Sequence, residues 1–238
     1  MKTLVSIWEW FLATILVLIY FLWFMVVAAI WPHDKYIKWV RSFISFFFKA
    51  LRIDIEVVGA ENIDYEGTQV FMPNHVSMFD IPLVLGYIPV KFWGIQAASH
   101  FKIPLYGWVL KQYGNIPIDR SSIRASFRTM MDVVEQIKGG KNILILPEGT
   151  RTSTREMGDF KKLPFNMAKK SGVAITPMAF VGLHAINNTQ SYNISPGKMK
   201  VVFGKQIDAE TVNSLNENEL RELTRNKIQE LIDNNSIK

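Results

Sequence analysis

Apolar residues are spread unevenly along the 238-residue chain. From Trp10 to Trp31 the run WFLATILVLIYFLWFMVVAAIW carries no charged side chain, and thirteen of its residues are Leu, Ile, Phe or Val. A helix of that length, rising about 1.5 Å per residue, reaches roughly 33 Å and could cross the hydrocarbon core of a bilayer. The thirteen residues favour insertion by roughly 4 to 8 kcal/mol. A cleaved signal fits poorly, since the run is too long for an h-region and Trp31-Pro32-His33 is no small-residue cleavage site. Tyr20 and Trp23 near its centre prefer the interface, so spanning and dipping into one leaflet both stay open. The next stretch, YIKWVRSFISFFFKAL over 36–51, alternates cations (Lys38, Arg41, Lys49) with Trp39, Val40, Phe43, Phe46 and Phe47 at helical spacing. It reads as an amphipathic helix lying on a membrane, or as an ordinary core-packing helix.

After Arg52 the pattern changes to short apolar, β-branched runs separated by helical periodicity. Strands are predicted at 53–58, 68–72, 91–97, 115–118, 142–146, 174–180 and 198–203. Apolar residues at 123, 127, 130, 131, 134 and 137 predict a helix over 122–138 that stops at Gly139-Gly140. Further helices are predicted over 160–171 and from Asn216, where Glu219 completes a capping-box pair. The alternation implies an α/β fold: a mixed, largely parallel sheet flanked by helices, preceded by a two-helix membrane-attachment element. The expected division is 1–52 for attachment and 53–238 for the α/β domain.

Composition narrows the chemistry. The chain has no cysteine, which removes disulfides, thiolate nucleophiles and Cys-ligated zinc. Only four histidines are available as an imidazole base: His33, His75, His100 and His184. Lys+Arg outnumber Asp+Glu by 27 to 21, a balance that suits an anionic partner. The basic residues form no aromatic-interleaved patch, so nucleic acid is a poor candidate. Lys35, Lys38, Arg41, Lys49 and Arg52 follow the apolar run while only Lys2 and the amino terminus precede it; if the run spans, the bulk of the protein is cytoplasmic.

Four stretches carry candidate chemistry. In FMPNHVSMFD, residues 71–80, His75 and Asp80 would lie some 140° apart on a continuous helix. They can meet only if His75 sits in the turn before the helix and folds back, a break that Pro73 suits. A carboxylate on one ring nitrogen would fix the tautomer and stabilise the imidazolium formed at the other. No Gly-x-Ser-x-Gly is present, so the natural partner is a substrate hydroxyl, although a simple strand-to-helix turn remains the alternative. GNIPIDR, 114–120, places Arg120 after a short strand beside a helix start, suited to an anion or to a neighbouring acid. ILILPEGTR, 143–151, runs an apolar strand into Glu148, Gly149, Thr150 and Arg151, where α/β proteins put their sites. Arg151 can grip a phosphate bidentately. AITPMAF, 174–180, has Pro177 inside an apolar strand, which marks an edge or a bulge.

In this order and spacing, Asn74-His75-x-x-x-x-Asp80, Gly114 to Arg120, Pro147-Glu148-Gly149-Thr150-Arg151 and the proline-containing stretch resemble the glycerolipid acyltransferase family, over roughly 53 to 205. The closest group is the lysophosphatidic acid acyltransferases. The resemblance implies transfer of a fatty acyl group from acyl-CoA or acyl carrier protein to a lysophospholipid hydroxyl. It assigns His75 as general base, Asp80 as its orienter, and Arg120, Glu148, Gly149, Thr150 and Arg151 to the acceptor phosphate. It implies no metal, no cofactor beyond the acyl donor and no covalent acyl-enzyme. The expected partners are the phospholipid bilayer, lysophosphatidic acid and the donor. Many members carry a charged stretch where this chain has QAASHFK; here Lys102 stands as a candidate headgroup cation, and His100 reads as a packed or solvated histidine, with a further polar contact as the alternative. Lys161, Lys162, Lys169 and Lys170 form a basic face that is either simply solvated or could attract an acidic carrier or CoA phosphates. Two rivals share the pattern: an acyltransferase for another lysophospholipid or lyso-aminolipid, and a non-catalytic phospholipid-binding membrane protein.

Overall fold

A computed structural model describes residues 2–31, 33–119, 122–191 and 193–237. In chain order the elements are α1 (Lys2–Ile30), α2 (His33–Ala50), β1 (Ile53–Val58), β2 (Gln69–Pro73), α3 (Asp80–Tyr87), β3 (Trp93–Ala97), α4 (Tyr106–Gln112), β4 (Ile116–Ile118), α5 (Ile123–Lys138), β5 (Ile143–Leu144), α6 (Lys162–Ser171), β6 (Ala174–Val181), α7 (Leu183–Ile186), β7 (Gly197–Phe203), α8 (Ala209–Ser214) and α9 (Glu217–Asn234). Seven strands form one sheet in the order β1-β7-β6-β2-β5-β3-β4. Every pairing is parallel except β6 with β7. Strands β2, β3, β4, β5 and β6 therefore end on the same edge, and the loops that follow them gather there.

Side chains alternate across the sheet and build a core on each face. Phe71, Met178, Phe180 and Phe203 pack with α1, α2 and α3. Val70, Met72, Ile175 and Val202 point the other way, against α5, α6 and α9. Helix α5 starts where Ser122 Oγ accepts from the Ala125 amide and ends at Gly139; α9 starts with the Asn216–Glu219 capping box. Pro177 lies inside the sheet rather than at an edge. Between the Ile175–Ile207 bridge and the Met178–Phe203 pair, β6 has two residues and the opposing segment three, so the proline, which lacks an N–H, sits at a bulge.

The two N-terminal helices are docked on the domain. The buried seam of α1 is Ser6, Glu9, Ala13, Leu16, Phe24 and Val27, while Leu4, Ile7, Trp8, Phe11, Leu18, Leu22 and Val26 are exposed. It is fastened at both ends. Near the start, Glu9 pairs with Arg52, and Ser6 Oγ accepts from the Ile194 amide at 3.0 Å. Further along, Tyr20 and Tyr113 share a hydroxyl contact at 2.9 Å, and Phe24 stacks on Tyr113. Much of the 36–51 stripe packs against the domain, as the core-packing alternative expected. Val40 and Phe47 of that stripe, with Tyr36, Ile44, Phe48 and Leu51, belong to the core, while Trp39 and Phe46 face outward. Helix α2 thus has two apolar faces. Two of the cations around it are engaged by the protein: half-buried Arg41 donates to the Ile88 carbonyl at 2.7 Å, and exposed Arg52 is held by Glu9.

Candidate active site

The site begins where β2 ends. Asn74 is buried, and its Oδ1 accepts from the Phe180 amide of β6 at 2.8 Å, which pins the chain as it leaves the sheet. The chain then bends, and α3 begins only at Asp80. That bend brings the pair together: His75 Nδ1 lies 2.6 Å from Asp80 Oδ2. Asp80 is fully buried and also accepts from the amides of Val76 (2.9 Å) and Ser77 (3.1 Å). Burial pushes the Asp80 carboxyl above the usual carboxylate range, and the His75 ring and the two amides pull the other way. A carboxylate can only accept, so Nδ1 carries the hydrogen and Nε2 of the neutral ring keeps its lone pair. Ser77, although beside the base, donates its hydroxyl to Asn187 Oδ1 at 2.6 Å and accepts from the Phe79 amide.

His75 opens onto a cavity of about 650 Å³ at the carboxyl edge of the sheet. Gly149, Thr150 and Arg151 line it as well, with Thr150 and Arg151 exposed at its mouth. Gly149 has φ +74°, and a Cβ there would meet nothing closer than the Lys161 side chain at 3.5 Å, so glycine supplies the left-handed turn rather than space. Away from these polar groups the wall is apolar: Ile95, Ile118, Met130, Ile145 and Leu163 from β3, β4, α5, the end of β5 and α6. That arrangement can hold an anion and a hydrocarbon chain in the space that a proton acceptor lines.

The other predicted site residues are placed differently. Glu148 is buried, with Oε1 accepting from the His75 amide at 2.7 Å and Oε2 from the Gly158 amide at 2.8 Å. Arg120 lies outside the described residues. Lys102 is exposed on the 3-10 turn Ala98–Lys102 and is not among the described residues lining the cavity, whereas His100 is. The basic face is divided: Lys161 lines the cavity, while Lys169 points away and donates to the Val212, Asn213 and Leu215 carbonyls that end α8. Sequence reasoning missed the pinning role of Asn74, whose partner is 106 residues away, and the apolar wall, which no short motif encodes.

A family profile described as acyltransferase matches residues 54–181. The chain is 31% identical over 196 residues to the chloroplast 1-acyl-sn-glycerol-3-phosphate acyltransferase of Arabidopsis thaliana, covering 77% of this chain and 55% of that one. It is 34% identical over 109 residues to the lyso-ornithine lipid O-acyltransferase of Pseudomonas aeruginosa, covering 46% and 41%. The chain spans about half the length of the curated relatives it matches. The crystal structure of the 1-acyl-sn-glycerophosphate acyltransferase PlsC from Thermotoga maritima shares the fold, with a TM-score of 0.82 at 23% identity, covering 100% of this chain and 98% of that one. The family profile takes in both the His75–Asp80 pair and the Glu148–Arg151 turn, and on this ground the chain belongs to the acyltransferase family.

Proposed function

We propose that the protein transfers a fatty acyl group from an acyl thioester, acyl-CoA or acyl carrier protein, to the free hydroxyl of 1-acyl-glycerol-3-phosphate, giving phosphatidic acid. The observation that carries this reading is the shared cavity: His75, backed by buried Asp80, the Arg151 and Lys161 cations and an apolar interior open onto one space. His75 Nε2 takes the proton of the acceptor hydroxyl as its oxygen attacks the thioester carbonyl. The tetrahedral intermediate then collapses, the C–S bond breaks, and the departing thiolate recovers the proton from the imidazolium. Asp80 keeps Nδ1 protonated and stabilises the charged ring. Arg151 and Lys161, with Arg120 as a further cation, are assigned to the phosphate, and the apolar wall to an acyl chain.

Residues 1–52 act as the attachment element and 53–238 as the catalytic domain. Because α1 is fastened along its length, its exposed apolar face and the outward Trp39 and Phe46 are read as dipping into one leaflet. Lys35, Lys38 and Lys49 stay exposed beside them, which supports contact with anionic headgroups on the cytoplasmic face. A second acceptor reading, a lyso-aminolipid, is supported by the similarity to the Pseudomonas enzyme; the cations at the cavity mouth favour a phosphate.

The test is direct. The full chain in vesicles is supplied with labelled acyl-CoA or acyl carrier protein and, in parallel, with 1-acyl-glycerol-3-phosphate, lysophosphatidylcholine and lyso-ornithine lipid. Phosphatidic acid should be the dominant product by mass spectrometry. A dominant acylated aminolipid selects the second reading, and lipid binding without thioester consumption removes both.

A further inference from the structure

Glu148 shares its motif with the residues assigned to the acceptor phosphate, yet it does not face the cavity those residues line. Both of its oxygens are occupied inside the protein, one by the amide of His75 at 2.7 Å and the other by the amide of Gly158 at 2.8 Å. Only 3% of the residue is exposed. Two amide donors, one on each oxygen, suit the ionised carboxylate; a protonated carboxyl would turn a hydroxyl toward one of them. A carboxylate placed against a phosphate would instead repel it. Gly158 adds an independent constraint. A Cβ there would lie 3.0 Å from Glu148 Oε2, so the glycine is what lets this amide come so close.

The same turn grips His75 a second time. The Thr152 amide donates to the His75 carbonyl at 2.9 Å, so both main-chain polar groups of the base are bound by the 147–152 turn. Thr152 in turn offers its carbonyl to Thr189 Oγ1 at 3.0 Å, which anchors the turn to the segment after β6. The ring is oriented by Asp80, but the position of its Cα is set from this other side.

We propose that Glu148 is a positioning residue for His75, fixing the base through its main chain, and that it is not a ligand of the acceptor phosphate. The inference rests on His75 being the base. It implies that the turn carrying Arg151 and the base move as one unit. An acceptor phosphate held by Arg151 is thereby registered against His75 Nε2, and a displacement of about 1 Å at the base costs roughly 100-fold in rate.

The experiment compares Glu148→Gln, Gly158→Ala and Arg151→Ala in the full chain. Glutamine keeps one acceptor oxygen but turns an amide donor toward the other N–H. Gly158→Ala crowds the carboxylate without altering it. Both should lower kcat, by about 100-fold for Glu148→Gln and less for Gly158→Ala, with acceptor KM changed by no more than about threefold. Arg151→Ala should chiefly raise KM. Without substrate, the proton NMR resonance of His75 Nδ1–H should shift or broaden in the first two variants and stay in place in Arg151→Ala, while all three melt cooperatively. A raised KM with kcat preserved in Glu148→Gln would make Glu148 a phosphate ligand and overturn the proposal. An unmoved His75 resonance overturns it too, as does failure of both Glu148→Gln and Gly158→Ala to fold. Absence of any transfer by the unaltered protein would remove the acyltransfer reading, while the NMR comparison would still report whether Glu148 positions His75.

Discussion

Fully buried Asp80 accepts from three donors, His75 Nδ1 and the amides of Val76 and Ser77. It therefore fixes the loop as well as the ring, and two effects are expected from Asp80→Asn. One oxygen becomes an amide that donates, so a buried N–H loses its partner at about 1–3 kcal/mol, measurable by urea denaturation. Loss of the oriented ring should lower turnover by about 10²–10⁴-fold, measured with a labelled thioester. His75→Ala separates the two: it removes the base while Asp80 keeps its amides, so transfer should vanish with little change in stability. Spacing alone left the pairing open, because five residues on a continuous helix keep the two side chains apart; the order of the four motifs is what favoured a bend between them. The inward direction of Glu148 was not legible, since a motif states which residues are adjacent and not which way each one points.

Elements with a strong period and clear ends were readable; short ones were not. Helices α5 and α9 run over the predicted stretches because Ser122, Gly139 and the Asn216–Glu219 pair punctuate them. Strand β5 is only two residues long where five were predicted, although the Ile145 amide still reaches the Phe71 carbonyl at 3.1 Å. Helices α4, α7 and α8 are at most seven residues long, too short to display a period, and their existence follows from tertiary contacts. Helix α8 shows how: Asp208 accepts from the Thr211 amide at its start and Lys169 binds the carbonyls at its end. The Thr211 amide holds the Asp208 carboxyl below its ordinary value. A depressed acid stabilises the fold above its unfolded value, about 3.9, and that contribution fades as the pH falls through the folded value. Wild type should thus be more stable than Asp208→Asn at neutral pH, with the gap closing under acid, as urea titrations between pH 3 and 7 would record.

At the scale of the molecule, the parallel strands bring five loops far apart in sequence to one edge, and the N-terminal helices close the opposite face of the sheet from α5, α6 and α9. The α/β class and the apolar N-terminus were visible in the hydrophobic pattern. The docking of α1 was not, because its buried seam and its outer face are both largely apolar, with Ser6 and Glu9 the polar members of the seam. The outer face offers a test. Leu18 is exposed, so Leu18→Lys should leave the fold intact while weakening vesicle binding about 100-fold, from an insertion difference of about 3 kcal/mol. Co-sedimentation with anionic vesicles reads that loss, and undiminished binding would show that α1 does not enter lipid.

The bond between Ser6 and the Ile194 amide joins residues 188 apart, so α1 leaves the ribosome well before its partner does and is fully seated only afterwards. Until residue 194 emerges, α1 has no complete partner within its own chain, and an apolar helix in that condition aggregates unless something else covers it. A bilayer provides such a cover during synthesis. On this view the membrane first serves as a holding surface for an unfinished protein, and only later as the place where the finished one works.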